Sequence, residues 1–214
     1  MKKILRAILN DPLKPISRLI SFIYGVFIFS LSSRIKHEGK LKFDGVPIID
    51  IQQGTELFIG KNVLLNSRNR GYHVNMYSPV KLFADIPGAR IKIGDNTRIH
   101  GSCIHAHLSI EIGARCLIAA NCQIIDGSGH NASFAHPENR INSKGSYKPI
   151  CIEDDVWLGT AVIVLPGVTI GKGSIVGAGS VVDQNIPAFS IAKGNPVRVS
   201  PANPKKFGAR SYKS

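Results

Sequence analysis

Acidic and aromatic residues are scarce in this chain of 214 residues. Asp and Glu total 14 against 27 Lys and Arg, which gives a formal net charge of +13 at pH 7. Such a charge calls for an anionic partner, for example a nucleic acid, an acidic membrane face or a phosphorylated ligand. Because aromatic residues make up only 7% of the chain and form no repeat with the basic ones, we expect no nucleic-acid partner.

Cysteine and long apolar runs are limited as well. The four cysteines form no CxxC pair and no signal-peptide cleavage site is evident, so we expect the reducing environment of the cytoplasm. The uncharged run at 19–33 is shorter than the roughly 20 residues that a membrane-spanning helix needs.

Basic residues flank this uncharged run, at Arg18, Arg34 and Lys36. Residues 1–42 are therefore predicted to form a basic amphipathic helical segment that lies in the interface of an anionic membrane, peripheral at the inner face of the cell membrane. A helix that packs on the body of the protein or on a partner subunit is the alternative.

Glycine, in contrast, is plentiful, with 21 residues and no G-X-Y period. From residue 152 onward an apolar residue recurs every six positions, and a small or β-branched residue follows each of the first five after four positions. A six-residue period predicts short strands joined by tight corners, with three strands to a triangular coil, as in a parallel β-helix. The apolar residues are Ile152, Leu158, Val164, Ile170, Val176 and Val182, and partial copies begin at Ile59, Ile93 and Ile112.

The predicted fold is therefore all-β, with a β-helix over residues 43–187 and a basic C-terminal tail over 188–214. In each coil the apolar residue points to the axis and the small residue fits a corner. Cys103, Cys116 and Cys122 share the corner position and are predicted to be small packed residues.

The repeat is interrupted twice. The spacing from Ile99 to Ile112 exceeds two hexads by one residue, which predicts a distorted coil between them. Between Ile124 and Ile152 the repeat stops, and the polar residues there predict a loop over 127–149. Long loops on a regular scaffold often carry function.

Residues 151–199 resemble the hexapeptide acyltransferases, because they retain the VW-[IL]-G, PGV-TIG, GAGSVV, IP and GxPxRV landmarks. The branch they resemble most is that of the galactoside, maltose and nodulation O-acetyltransferases and the bacterial polysaccharide O-acetyltransferases. This resemblance implies a left-handed coil, a homotrimer, and direct transfer of an acetyl group from acetyl-CoA as co-substrate.

The family's catalytic histidine lies on the loop before the VW-[IL]-G coil, and the matching residue here is His130, with His136 as the alternative. A positioned base is sufficient to activate an acceptor hydroxyl, and imidazole titrates near the working pH. Asp126 or a backbone carbonyl is the expected partner of the second ring nitrogen. A backbone N–H of Gly159 or Thr160 is expected to stabilise the oxyanion.

The resemblance also implies where the cofactor binds. The CoA arm is expected along the outside of the coil between subunits, at Thr160, Ala178 and Arg198. Lys193 and the basic tail are expected to meet its phosphates. The sequence has Asp183-Gln184 where family members often have Thr-Lys, so Lys193 or tail lysines such as Lys205 take over more of that charge.

The acceptor side of the site is expected at His100, which matches a position that sugar acetyltransferases use for acceptor binding, and at Trp157 as an apolar wall. His105 and His107 have no acidic or CxxC partner close in sequence, so no metal is expected.

The activity predicted on these grounds is O-acetylation of a sugar hydroxyl in a bacterial surface glycan or its precursor. N-acetylation of a nucleotide-linked amino sugar is the alternative, because the same base serves both acceptors. A non-catalytic β-helix that acts as an assembly module is a third possibility, although it would have no need of the His130 loop.

Overall fold

The computed structural model describes residues 13–31, 33–39 and 41–202. A helix, α1 (Lys14–Leu31), is followed by short strands that form three sheets. Sheet A contains β1 (Ile35–His37), β4 (Glu56–Ile59), β7 (Arg90–Ile93), β10 (Ser109–Ile112), β13 (Ile150–Ile152) and β16 (Thr169–Ile170).

Sheet B is the longest of the three. It contains β2 (Lys42–Asp44), β5 (Leu64–Asn66), β8 (Arg98–His100), β11 (Leu117–Ile118), β14 (Trp157–Leu158), β17 (Ile175–Val176), β19 (Ser190–Lys193) and β20 (Arg198–Pro201). Sheet C contains β3 (Ile48–Ile51), β6 (Lys81–Ala84), β9 (Cys103–Ala106), β12 (Gln123–Ile125), β15 (Ile163–Val164) and β18 (Val181–Val182).

From β1 to β19 successive strands fall in different sheets, and neighbouring strands of a sheet pair in parallel, one coil apart. The chain therefore winds as a three-sided parallel β-helix, and only β20 runs antiparallel, against β19, within the described residues. All six predicted axial residues from Ile152 to Val182 are buried, and they form one core with the upstream isoleucines. The predicted all-β parallel coil is confirmed.

The corners are named here by the sheets that they join. At the A–B corner a left-handed backbone recurs in successive coils, at Asn62, Asn96, Arg115, Asp155 and Gly173. This conformation turns the chain within one residue, and it is the reason for the Gly and Asn residues that punctuate the repeat.

The prediction for Cys103 is wrong, whereas Cys116 and Cys122 are buried as predicted. Ser102 fills the corner instead, where its hydroxyl donates to Ala119 O (2.8 Å) and accepts from the backbone N–H of Cys122 (2.9 Å). The side of the coil from Ile99 to Ile104 has five residues instead of six. The residue four positions after Ile99 therefore lies past the corner, in the following strand.

The ends of the coil differ from the predicted boundaries of 43 and 187. Parallel pairing begins at Ile35 with β1 and continues to β19. These terminal strands lack the hexad spacing, so their pairing partners could not be identified from the repeat. Residues 1–12 and the tail from 203 onward, including Lys205, lie outside the described residues.

Helix α1 packs on the first strand of sheet B through a narrow face. Gly25 is buried against the Phe43 ring, so close that an added Cβ would lie 2.8 Å from it. The opposite face is apolar and exposed, with Phe22 and Phe27 both more than 60% accessible. Among the described residues no helix combines the length and apolarity needed to cross a membrane.

Two long excursions leave the coil at different corners. Residues 67–80 join β5 to β6 at the B–C corner, and the sequence reasoning missed this excursion because the flanking repeat copies are degenerate. Residues 126–149 join β12 to β13 at the C–A corner and contain the 3-10 helix Pro137–Asn142.

Candidate active site

Thr160 and Ala178 lie in successive coils at the B–C corner. The Gly179 N–H donates to Thr160 O (2.8 Å), and the Thr160 hydroxyl donates to Ala120 O one coil earlier (2.7 Å). Gly159 allows the coils to meet, because a Cβ there would be 2.6 Å from Ala178 N. The predicted stacking of these residues along one edge is present, with Ala178 exposed to solvent.

The cations Lys193 and Arg198 continue this edge. They face each other in the antiparallel pair of β19 and β20, and both are exposed. Lys193 lies next to the coil that carries Ala178, since a Cβ on Gly177 would be 3.1 Å from Lys193 Cβ. We call the set Gly159, Thr160, Ala178, Lys193 and Arg198 the corner strip.

Of the two amides expected to stabilise an oxyanion, that of Gly159 is already engaged. Its N–H donates to Val176 O at 2.8 Å, as part of the backbone ladder. The Thr160 N–H has no hydrogen-bond partner among the described residues. Of these two amides, that of Thr160 is therefore the donor that remains available.

His100 lies at the end of β8, beside the same corner, and its ring is held by two residues that sequence reasoning missed. Tyr72, from the excursion 67–80, stacks on it at 4.6 Å between ring centroids. Asn66 Nδ2 lies 3.1 Å from His100 Nδ1. Asn66 Oδ1 accepts from Arg68 N (3.0 Å), which assigns Nδ2 as the donor to the histidine.

Burial lowers the pKa of His100 to about 4, with further contributions from Arg98 and His73. The ring is consequently neutral at pH 7. Because Nδ1 accepts from Asn66, the proton sits on Nε2, so His100 presents an N–H donor on its other side. That side can donate to a hydroxyl oxygen.

Trp157 projects from the outer face of sheet B and is 48% exposed. It pairs in register with Leu117 on one side and Ile175 on the other, both also exposed. The three form an apolar ladder on the same sheet that carries His100.

His130 lies on the exposed excursion 126–149, next to Gly129, whose surroundings are open. Its carbonyl accepts from the Ser128 hydroxyl (3.1 Å), and its ring has no hydrogen bond within the described parts of the chain. The ring of His136, also exposed, lies 3.3 Å from Glu138.

The expected hydrogen bond between Asp126 and the His130 ring is not formed among the described residues, and this prediction is corrected. The Asp126 carboxylate is fully buried and accepts from three consecutive backbone N–H groups, those of His107, Leu108 and Ser109, at 2.6 to 2.8 Å. It also lies 3.3 Å from His107 Nδ1. The Asp126 carboxylate is therefore fully engaged by the backbone of the lengthened corner of the distorted coil, where it accepts hydrogen bonds from these three amides.

The second correction concerns His105 and His107, which do have acidic partners. His105 Nε2 lies 3.2 Å from Asp85 Oδ1, and His107 contacts Asp126. Both partners are about 20 positions away in sequence, one coil apart, and therefore invisible to a search for local spacing.

The predicted site residues thus form two groups. His100, Trp157 and the corner strip lie on sheet B and at the B–C corner, whereas His130 leaves the coil at the C–A corner. Sheet C lies between the two corners, so a single chain does not bring His130 and the strip together.

Two repeat models match this chain. "Bacterial transferase hexapeptide (six repeats)" matches residues 152–184, and "Hexapeptide repeat of succinyl-transferase" matches residues 90–125. These two segments therefore carry hexapeptide repeats. The resemblance inferred from the sequence landmarks is confirmed for these segments.

Among curated proteins, the chain is 40% identical over 107 residues to a "Putative acetyltransferase" of Staphylococcus aureus strain Mu50, across 42% of this chain and 54% of that protein. It is 39% identical over 115 residues to a protein of the same description from Saccharomyces cerevisiae, across 52% of this chain and 56% of that one. The chain spans about half the length of these relatives.

Among solved structures, a hexapeptide-repeat acetyltransferase of Vibrio cholerae complexed with acetyl-CoA is 34% identical, with a TM-score of 0.51 over 58% of this chain and 64% of that one. AntD, an N-acyltransferase from Bacillus cereus, is 19% identical, with a TM-score of 0.59 over 80% of this chain and 85% of that one. The second likeness is one of fold.

Proposed function

We propose that this protein transfers an acetyl group from acetyl-CoA to a sugar hydroxyl. The observation that carries the proposal is the corner strip: an open edge of stacked Thr160 and Ala178, built from the residues that match the transferase repeats. The Vibrio cholerae relative, which holds acetyl-CoA, supports the choice of co-substrate. We take the coil to be left-handed, as the hexapeptide landmarks imply.

In the proposed reaction His130 is the general base. Its ring accepts the proton of the acceptor hydroxyl while the oxygen attacks the thioester carbonyl. The N–H of Thr160 donates to the resulting oxyanion. Collapse of the tetrahedral intermediate breaks the carbon–sulfur bond, and the CoA thiolate takes the proton back from the imidazolium.

A shared site follows from the separation of the two residue groups. His130 has to reach a corner strip that sheet C keeps from it within its own chain, and its excursion is long enough to extend beyond its own corner. In a homotrimer with closed symmetry, the C–A corner of one chain would face the B–C corner of its neighbour. His130 of one chain could then reach the corner strip of the next.

The acceptor subsite suits a sugar. His100 offers a single N–H donor from a neutral ring, backed by Tyr72. Trp157 offers an exposed aromatic face on the same sheet. An apolar ring face and a fixed donor on one sheet are groups that a sugar, with its C–H face and hydroxyl edge, can use.

The exposed cations supply the anion contacts of the cofactor. Lys193 and Arg198 lie at the end of the strip, where the phosphates of CoA would extend away from the thioester. Their exposure leaves both side chains free to reorient toward a ligand.

The apolar outer face of α1 is proposed to rest on an anionic membrane, at the cytoplasmic side where a lipid-linked glycan precursor would be held. Phe22 and Phe27 lie on this face, whereas Tyr24 faces inward and interacts with the backbone of Ile49. One face of the helix thus packs on the body of the protein, and the other is available to the membrane.

Acetyl-CoA turnover against a panel of sugars, lipid-linked glycans and nucleotide-linked amino sugars tests this function. Release of CoA thiol with a hydroxyl acceptor is the expected result. Turnover with amino sugars alone would show that the reaction is N-acetylation instead. The absence of turnover with every acceptor would favour a non-catalytic assembly module.

A further inference from the structure

Four rings form a column that begins on the outer face of sheet C, at Phe83 and His105, and continues through His107, just after β9, to Tyr147 of the excursion 126–149. Phe83 stacks on His105 (4.3 Å between centroids), His105 lies 4.1 Å from His107, and His107 stacks on Tyr147 (4.8 Å, 7° between planes). Two histidines are therefore held side by side, with His105 about one fifth exposed and His107 about one tenth.

The hydrogen bonds of the column set the tautomer of His107. Asp126 is already the acceptor of three backbone N–H groups, so its carboxylate is also the acceptor for His107 Nδ1. Nδ1 is thereby the donor nitrogen, so in the neutral tautomer Nε2 carries the lone pair that a metal ion would use. This carboxylate–histidine arrangement is the one that orients histidine ligands in metal sites.

His105 brings the second nitrogen and Asp85 an oxygen. His105 Nε2 lies 3.2 Å from Asp85 Oδ1, and burial lowers the pKa of His105 despite that hydrogen bond. In the neutral ring the proton can shift to Nδ1 when a cation takes Nε2. The positive charge of Lys81 acts on His105 and would repel a metal cation. The Lys81 ammonium lies over the Phe83 ring, and this cation–π contact partly offsets its charge.

We propose that Asp85, His105 and His107 bind a divalent transition-metal ion, with Zn²⁺ as the best match to two imidazoles and one carboxylate. One potential ligand atom from each residue lies within 4.8 Å of the other two. Zinc bonds of about 2.0–2.2 Å in a tetrahedral site place ligands about 3.4 Å apart, so the ligand atoms, which lie within 4.8 Å of one another here, have to approach slightly when the ion binds. A fourth position is left for solvent.

The ion would hold the base of the His130 excursion. Asp126 starts that excursion and Tyr147, near its end, stacks on His107, while the Lys148 N–H donates to Asp126 O (2.8 Å). The site is distinct from the corner strip, and its occupancy can be measured without any acyl transfer.

Equilibrium dialysis of the untagged, chelator-treated full-length protein against micromolar Zn²⁺ tests the site. We expect one ion per chain, at least tenfold weaker binding in Asp85→Asn, and loss of the ion in His105→Gln. His136→Gln is the control for exposed histidines and should bind as the native chain does. Replacement by Co²⁺ should give the intense visible absorption of a tetrahedral centre.

Failure of the native chain to retain zinc at micromolar free metal would overturn the proposal. So would equal binding by the native chain and Asp85→Asn, which would assign the zinc to other residues. Circular dichroism checks the fold of each variant. If His105→Gln does not fold, the zinc affinity of Asp85→Asn is the deciding measurement, because Asp85 is not one of the stacked rings.

Discussion

The backbone nitrogen of Ala178 lies 2.6 Å from the point that a Cβ on Gly159 would occupy. This contact sets how closely two coils approach beneath the corner strip. A side chain there has only backbone atoms to push against, and those atoms cannot move away without separating the coils.

Gly159→Ala is therefore expected to destabilise the protein by about 1–3 kcal/mol, the usual cost of overpacking. The matched control is Gly129→Ala, where an added Cβ meets nothing within 4 Å. Chemical denaturation followed by circular dichroism measures both. Equal midpoints for the two variants would show that the coils are not in contact at Gly159.

His130→Ala should lower acetyl transfer at least 100-fold, in line with the loss of a positioned general base. CoA binding should persist, because the corner strip is untouched. His136→Ala, on the same excursion, should stay within a few-fold of the native rate. An active His130→Ala enzyme, or equal losses in the two variants, would assign the base elsewhere.

Acid should destabilise the fold partly through His100. Its pKa is about 4 in the folded chain against an ordinary value of 6.5, so the unfolded chain binds more protons between these values. The contribution of His100 is therefore complete above pH 6.5 and is lost as the pH falls toward 4. Between pH 7 and pH 4.5, in the presence of a chelator, the melting temperature of His100→Gln should fall by less than that of the native chain.

The control for this pH effect is His136→Gln, which removes an exposed histidine and should follow the native profile. If His100→Gln and the native chain lose the same melting temperature on acidification, His100 is not held neutral by the fold.

The hexad pattern was sufficient to predict the coil, its axial residues and the excursion that carries His130, since each depends on spacing along the chain. The contacts that the pattern could not show all cross between coils. Asn66 meets His100 across 34 positions, and Asp85 meets His105 across 20. In both cases an excursion or a distorted coil shifts the register, so constant spacing no longer identifies the partner.

Asp126 shows a different limit of sequence reasoning. Its nearness to His130 along the chain suggested a pair, but the backbone amides at 107–109 compete for the same carboxylate. Three backbone donors around a buried carboxylate outweigh one exposed ring, because a solvated imidazole can hydrogen-bond to water instead.

Membrane association should depend on the outer face of α1. The double substitution Phe22→Ser and Phe27→Ser should reduce flotation with anionic liposomes while acetylation of a free sugar continues. These positions are exposed, so the packing of Gly25 on Phe43 is kept, whereas deletion of the helix would uncover Phe43. Unchanged flotation would refute the interfacial role of this face.

Mixed trimers test the shared site. A His130→Ala chain keeps the corner strip without the base, and an Ala178→Trp chain keeps the base beside an obstructed strip, so neither should be active alone. When equal amounts of the two chains are co-assembled at random, about one quarter (1/2 × 1/2) of the interfaces should join an intact base to an intact strip.

The activity of trimers shown to contain both chains is the measurement that bears most directly on the whole account. Recovery toward about one third of the native rate is the predicted result, because each trimer that contains both chains has one intact interface of three. Mixed trimers that remain as inactive as their parents, or a monomer that is active at the assay concentration, would contradict a site shared between His130 and the Thr160–Ala178 edge of a neighbouring chain.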